Sequence, residues 1–338
     1  MQKGWSLEES LLALRQHTGI VIPTFVPPSV DASLSRQLLE DTVHGCVQQI
    51  EDPRSICLSV DGENYGKDMT EELAGRFGVR VCSTPENKGK LHALRNGMDL
   101  LFADSRHRYL ATIDADGDHF PNELVYLLRA ANHVQHSRGI EKLLVLGRRI
   151  SRHRPMGYLR GELEELADRI LLDALAYDAT LQELPLRLEY ATSLEEFPDF
   201  HSGYKLFSRS VVRDVFLEEP MFCGMSQSAY YKHGVEAVMT VEAIKSGAYL
   251  VGVNRSTFND QPLSVFGLLD RIRMTADKIV WPCRRLGFPS HFVMQWLRNH
   301  MARLQLGTLA PQGKDELRQI RQLVLRELGA PAVEDEEG

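Results

Sequence analysis

The residues best suited to chemistry in this chain are Ile113-Asp114-Ala115-Asp116-Gly117-Asp118-His119, where an apolar run ending at Ile113 meets three alternating carboxylates. An acid at the carboxyl end of a parallel strand stands where open α/β sheets bind ligands. If the strand continues through them, Asp114 and Asp116 point the same way, and both can face one divalent cation that also holds a diphosphate. Alone the pair is a weak signal, because a turn made of Asp and Gly after a strand accounts for it equally well. An EF-hand starting at Asp114 needs Gly at its sixth position and Glu at its twelfth, and those are His119 and Val125. Gly89-Lys90 ends like a phosphate-binding loop, but Thr84 stands where G-x-x-x-x-G-K needs its first Gly, and Leu91 replaces Ser or Thr.

A second group is Glu86-Asn87-Lys88-Gly89-Lys90-Leu91-His92, a strand end followed by a basic helix start. Amides at a helix N-terminus, with Lys88 and Lys90 beside them, suit a phosphate; a solvated helix start is the plain alternative. Asp61, in Ser59-Val60-Asp61-Gly62, ends an apolar run and is suited to accept hydrogen bonds from a nucleobase or ribose, or simply to make a turn.

These residues need elements to hold them. From Thr18 onward short β-branched runs (19–23, 56–60, 79–82, 108–113 and 143–146) alternate with amphipathic stretches, as in a mostly parallel sheet with crossover helices. Leu34, Leu38, Val43, Val47 and Ile50 recur at helical spacing, as do Leu91, Leu94, Met98 and Leu101. A stripe from Leu159 to Ala174 predicts a helix over 156–177, followed by a surface connection over 178–198 and a strand and helix within 201–216. Ser6 and Glu9 have capping-box spacing, so the N-terminus reads as a short amphipathic helix over 1–16 and not as a signal peptide. The last 70 residues read as basic helices, a 266–330 extension that caps the site or forms a homodimer face, before an acidic tail over 331–338.

Composition narrows the function. With 43% hydrophobic and 25% charged residues over 338 positions, the chain is an ordinary folded protein and not a disordered one. Its 39 basic against 46 acidic side chains give a net charge of −7, the wrong sign for holding nucleic acid by counterion release. Five scattered cysteines without C-x-x-C spacing argue against a disulfide framework or a zinc site, and fit a reducing cytoplasm. No stretch approaches the ~20 apolar residues of a membrane span, so any membrane association is peripheral.

In this order, Ile22-Pro23-Thr24 after the first strand, Asp61 after the second, Asn87-Lys88-Gly89-Lys90 before a helix and Asp114-Ala115-Asp116-Gly117 after a strand, the chain resembles glycosyltransferase family 2. Downstream, Asp199-Phe200-His201-Ser202-Gly203-Tyr204-Lys205-Leu206-Phe207-Ser208-Arg209 is similar to the D-x-x-C/S-G-[FY]-K-L-F-[ST]-R segment of the polyprenyl-phosphate glucosyl- and mannosyltransferases. The resemblance spans residues 17–255. It implies an α/β GT-A fold over 17–265, a Rossmann-like, mixed, mostly parallel sheet flanked by helices. It further implies a nucleotide-diphospho-sugar donor, UDP- or GDP-linked, and transfer with inversion. Pro23 and Thr24 would line the nucleotide pocket and Asp61 would contact the base. Lys90 and Ala115 would lie near the diphosphate, Asp114 and Asp116 would hold Mg2+ or Mn2+, and Gly203 would allow close approach near the acceptor.

The family's acidic helix before the last strand corresponds to Val235-Glu236-Ala237-Val238-Met239-Thr240-Val241-Glu242. Glu236 fits the family spacing for the base that takes the acceptor's proton. Glu242, about 600° of helix rotation away, faces elsewhere and reads better as a surface partner of Lys245. Arg148 and Arg149, after the fifth run, are candidates for an anionic acceptor or for plain solvation. The R-x-x-G-x-S-K segment of the polyprenyl-phosphate enzymes is missing: Asn254-Arg255-Ser256-Thr257-Phe258-Asn259-Asp260-Gln261 stands in its place. A soluble acceptor, small and polar or anionic, is therefore at least as well supported as a lipid phosphate. The rivals are a nucleotidyltransferase, whose Gly-rich first loop is absent, and a silent binding module that keeps the fold without the chemistry.

Overall fold

A computed structural model describes residues 6–191, 197–258, 260–263, 270–307 and 311–330. The acidic tail and Asn259 lie outside them. The β-branched runs become the strands β1 (Thr18–Thr24), β2 (Ile56–Val60), β3 (Arg80–Ser83), β4 (Tyr109–Thr112), β5 (Leu143–Arg149), β6 (Lys205–Ser208) and β7 (Tyr249–Arg255). They form one sheet in the order β3-β2-β1-β4-β6-β5-β7. All pairings are parallel except those of β6, which runs antiparallel to both β4 and β5. β1, β2 and β4 are buried on both faces apart from Pro23, which is why they read as continuous apolar runs and not as alternating ones.

The helices are α1 (Leu7–His17), α2 (Ala32–Val47), α3 (Lys67–Phe77), α4 (Lys90–Phe102), α5 (Leu124–Arg138), α6 (His153–Met156), α7 (Tyr158–Leu181), α8 (Arg209–Val212), α9 (Gln227–Lys232), α10 (Val235–Lys245), α11 (Arg271–Arg285), α12 (Ser290–Gly307) and α13 (Pro311–Glu327). Local chemistry sets several of their starts. Ser6 and Glu9 form the capping box at α1, and the Asp31 carboxylate accepts from the Ser33 and Leu34 amides at 2.8 and 3.0 Å to start α2.

Three apolar cores result. One lies between the sheet and α4, α8 and α10, and a second between the sheet and α1, α2, α3 and α5. The third joins α7 to α11, α12 and α13 through Leu166, Ile170, Ile279, Val280, Leu297, Ile320 and Val324. Each such side chain contributes roughly 1.5–3 kcal/mol by leaving water. Trp281 is fully buried, its indole N–H donating to the Met221 carbonyl at 2.9 Å, which makes it a packing residue.

The structure differs from the sequence expectation at three places. β4 stops at Thr112, two residues before Asp114, so a turn and not a strand presents the acids. The strand expected within 201–216 begins only at Lys205; residues 199–204 are irregular and tied down by side chains. The 156–177 helix extends to Leu181 and packs with the C-terminal helices.

Candidate active site

One cavity of about 650 Å³ opens at the carboxyl ends of β1, β2, β4 and β5, a volume suited to a nucleotide-sized ligand with room beside it. Pro23, Thr24, Asp61, Lys90, Asp114, Ala115, Asp116, Gly203 and Glu236 all line it; Arg148 and Glu242 are not among its lining residues.

The 113–119 turn works by internal bonding. The Asp118 backbone N–H donates to Asp116 Oδ1 at 3.2 Å, and the Asp114 backbone N–H donates to His119 Nδ1 at 2.9 Å. His119 therefore carries its proton on Nε2. Its ring stacks on Tyr204 with centroids 4.9 Å apart. Burial, then Arg255, Lys90, Arg149 and Lys205, push its pKa well down, so it is a neutral wedge under Asp114. Asp118 also lines the cavity, but its oxygens are committed: Arg255 Nη1 and Nη2 both donate to its Oδ2 at 3.1 Å, and the Phe258 amide donates to Oδ1 at 2.9 Å. Gly203 is needed for space, since a Cβ there would lie 2.6 Å from Asp114 Oδ2 and 3.2 Å from His119 Cε1.

Asp116 is the electrostatically uncomfortable member. Burial first, then the neighbouring Asp114 carboxylate, push its pKa up to about 6. Its Oδ2 accepts from Gln261 Nε2 at 2.8 Å, and Gln261 Oε1 in turn accepts from Arg160 Nη1 at 2.9 Å.

Lys90, in the first turn of α4, reaches across the cavity floor. Its Nζ lies 2.8 Å from Asp114 Oδ1 and 3.0 Å from Oδ2, and donates to Glu236 Oε1 at 3.0 Å. Burial disfavours its charge, but Asp114 and Glu236 outweigh that and hold the ammonium above its ordinary pKa. Glu236, in the first turn of α10, is likewise pushed up by burial and down further by Lys90, Lys278 and Lys205, to about 2. It is a carboxylate at neutral pH.

Asp61 lines the cavity and also pins the loop before α4. Its Oδ1 accepts from the Lys88 and Gly89 amides at 2.9 and 3.1 Å and its Oδ2 from Gly89 at 2.9 Å. The loop amides proposed for a phosphate are thus taken by this carboxylate. Gly89 is required at φ +122, where a Cβ would also meet the Tyr231 carbonyl oxygen. Beside it Phe25 and Tyr65 pack with ring centroids 4.8 Å apart.

Alternation along β5 puts Arg149, not Arg148, on the cavity side. Arg149 is buried and clamped: Nε donates to Asp199 Oδ2 at 2.8 Å, and Nη2 to Asp199 Oδ1 at 2.6 Å and Glu164 Oε2 at 2.8 Å. Glu242 pairs with Arg285 of α11 at 2.6 and 2.8 Å, and Lys245 with Asp178 at 3.2 Å, which replaces the expected Glu242–Lys245 pair. The segment 199–205 that positions Gly203 is over-determined. Thr112 Oγ1 donates to the Gly203 carbonyl at 2.6 Å, Ser202 Oγ to the Gly147 carbonyl at 2.6 Å, and buried Lys205 Nζ to the Phe200 carbonyl at 2.8 Å and to that of Ser202.

The sequence of the chain matches Glycosyl transferase family 2 over residues 20–216, more than half of its length. The chain belongs to glycosyltransferase family 2. Among solved structures it is similar to glucosyl-3-phosphoglycerate synthase from Mycobacterium tuberculosis in complex with Mn2+, uridine-diphosphate-glucose and phosphoglyceric acid, at 20% identity, covering 86% of each chain, with a TM-score of 0.50. The same enzyme with Mn2+, uridine-diphosphate and phosphoglyceric acid matches at 20% identity, covering 86% of this chain and 85% of that one, with a TM-score of 0.50. S. aureus TarS 1-349 with UDP matches at 9% identity over 93% of this chain and 90% of that one, with a TM-score of 0.42. No curated protein sequence matches the chain. At these identities the likeness is one of fold, and the fold of this family 2 member is GT-A. No helix among the described residues is long and apolar enough to cross a membrane.

Sequence reasoning missed His119, Arg160, Glu164, His201, Arg255, Gln261 and Lys278, all of which line the cavity. His119 was readable as the neighbour of the acids and Arg255 as the end of the last strand. The others sit on elements whose approach to the cavity no local pattern announces.

Proposed function

We propose that this family 2 member transfers a sugar from a UDP- or GDP-linked donor to an acceptor hydroxyl with inversion, using Mg2+ or Mn2+ held by Asp114 and Asp116. The observation that carries the reading is the convergence of Asp114, Asp116 and Glu236 on one cavity, with Lys90 between Asp114 and Glu236. Among the described residues no group of three or more His, Cys, Asp or Glu side chains could hold a metal on its own. Two carboxylates suffice where substrate phosphates and water complete the shell, the usual arrangement for Mg2+. The donor set suits a cation: both carboxylates line the cavity, Asp114 Oδ1 already faces a cation in the Lys90 ammonium at 2.8 Å, and burial together with the Asp114 charge raises Asp116 in the absence of one. When bound, the cation offsets the charge developing on the diphosphate leaving group. The Mn2+ and uridine-diphosphate bound by the mycobacterial enzyme support a uridine donor.

Pro23, Thr24 and Asp61 form the nucleoside end. Lys90 exchanges its carboxylate partners for diphosphate oxygens as the donor enters. Glu236, relieved of Lys90, then rises from about 2 toward a range in which it can take a proton. The acceptor oxygen bonds to the anomeric carbon, its proton passes to Glu236, and the bond to the diphosphate oxygen breaks on the opposite face. Gly203 leaves room for Asp114 beside the reacting centre.

The test is a panel of UDP- and GDP-sugars read by thermal shift and by released nucleotide, with and without Mn2+. One donor is expected to raise the melting temperature only with Mn2+, and Asp116→Ala to abolish the shift. Donor binding indifferent to metal and to this substitution overturns the reading.

A further inference from the structure

α9 is a short helix capped by Ser226, whose Oγ accepts the Ala229 amide at 3.1 Å. It packs against the loop before α4: a Cβ on Gly89 would collide with the Tyr231 carbonyl, and the His92 and Tyr231 rings meet edge-on with centroids 5.3 Å apart. The helix ends at His233, whose backbone N–H donates to the Ala229 carbonyl at 2.9 Å, and Gly234 then leads the chain into α10. His233 is thereby fixed just ahead of Glu236 in the first turn of α10, and it lines the cavity as Glu236 does.

A carboxylate from another helix holds the His233 ring. Its Nδ1 lies 2.7 Å from Asp277 Oδ2 on α11, the side-chain hydrogen bond that the ring makes among the described residues. A carboxylate only accepts, so Nδ1 carries the proton of the neutral ring and Nε2 keeps a lone pair. Asp277 is buried and anchored in its turn, with Oδ1 2.9 Å from Arg273 Nε, and Arg273 Nη1 pairs with Glu327 at 2.9 Å. Asp277 is not among the residues that line the cavity, whereas the His233 side chain lines it and is 16% exposed. With the acid behind the ring, the Nε2 edge is the one left for the cavity.

A lone pair fixed in this way bonds only to a ligand atom that brings a hydrogen. Lys90, Lys232 and Lys278 line the same cavity, so a cationic donor is opposed there and a neutral hydroxyl is favoured. In the transfer reading Lys90 turns from Glu236 to the diphosphate, which brings the sugar joined to that diphosphate to the first turn of α10, beside His233. We propose that His233 Nε2 accepts a hydrogen bond from one hydroxyl of the transferred sugar, with Asp277 as the positioning residue that fixes the tautomer of the ring. The inference rests on the reading of the cavity as a glycosyl-transfer site and names a residue that selects its donor sugar. A site built to bond a hydroxyl discriminates against a sugar that lacks it or turns it the other way.

Calorimetry on the full chain with Mn2+ tests this, comparing UDP with UDP-glucose and UDP-galactose, and GDP with GDP-glucose and GDP-mannose. For the sugar nucleotide bound most tightly, His233→Phe is expected to weaken binding about tenfold while the Kd of the matching UDP or GDP changes less than about twofold. His233→Gln, whose side-chain oxygen reaches the place of Nε2, is expected to recover most of that loss, and His233→Asn, which reaches only the place of Nδ1, is not. Among deoxy analogues of that sugar nucleotide, one is expected to bind about tenfold more weakly than the parent to the unaltered chain and equally with it to His233→Phe. Long-range 1H–15N spectra are expected to show the His233 ring protonated on Nδ1, and Asp277→Asn, whose amide can donate to Nδ1, to shift the proton to Nε2. Sugar-nucleotide affinity within about twofold of the unaltered chain in folded His233→Phe overturns the inference, also where turnover alone falls, which assigns the hydroxyl to the acceptor. An equal loss for the bare nucleotide, glutamine and asparagine behaving alike, or a ring protonated on Nε2 in the unaltered chain overturns it as well. Absence of any nucleotide or sugar-nucleotide binding with Mn2+ defeats the transfer reading and takes this inference with it; donor binding that ignores His233 defeats this inference alone.

Discussion

The two walls of the cavity are held in opposite ways. Around Asp114 and Asp116 the acids crowd one another, Lys90 answers them only in part, and Asp116 is pushed up to about 6. Around Arg149 the charges interlock: Asp199 and Glu164 satisfy one guanidinium, Asp168 a second on Arg152, and Glu164 is pulled down to about 2 against its burial. The first wall holds a repulsion that, in the proposed function, a cation and a diphosphate would relieve. The second is satisfied by its own ion pairs. In the proposed function a wall that changes charge on binding stands beside one that keeps its shape, which suits holding one substrate still while the other binds.

The largest effects should come from the strained wall. Asp116→Ala and Glu236→Gln are each expected to lower the rate of sugar transfer at least about a hundredfold, measured as released nucleotide, whereas Glu242→Gln, six residues along α10, should change it less than about twofold. Comparable losses from Glu236→Gln and Glu242→Gln would erase the distinction drawn between the two acids. On the interlocked wall Arg149→Met is expected to cost about 3–5 kcal/mol in a urea melt, since it leaves Asp199 buried without its partner. A loss below about 1 kcal/mol would mean the clamp is ornamental. Gly203→Ala should leave the melt nearly unchanged and cut turnover about a hundredfold, because the added methyl displaces Asp114 Oδ2.

The smallest effect is a pair of opposite pH slopes in the metal-free chain. Asp116 binds its proton more tightly folded than unfolded, so it favours the fold below about pH 4, and that contribution is lost as pH rises through about 6. Asp116→Asn should therefore stabilise the metal-free chain at pH 7 by about 1–3 kcal/mol. Glu164 has the reverse sign: its contribution is present above about pH 4.5 and disappears as pH falls toward about 2, and Glu164→Gln should flatten that acid limb. Melting temperatures between pH 3 and pH 8 check both slopes, and slopes of the same sign would remove the contrast.

Sequence by itself determined the strained wall almost entirely. Asp61 follows a strand, Asp114 and Asp116 lie in the turn after one, and Lys90 and Glu236 begin helices; a β-branched run or an apolar stripe marks each place, and short-range pattern suffices to put them at one rim of the sheet. It could not say that Asp61 would spend its oxygens on the Lys88 and Gly89 amides, since both the nucleotide-contacting and the loop-pinning roles ask for the same carboxylate. Of the interlocked wall, sequence offered only Arg149 as a candidate, and tertiary structure decided the rest. Arg160 and Glu164 on α7, Lys278 on α11 and His201 in an irregular segment meet only because α7 packs against the C-terminal helices through their third core. Charged residues on a helix look alike in sequence whether they face water or a cavity; which of them turn inward depends on how the apolar stripe behind them is buried against partners more than a hundred residues away.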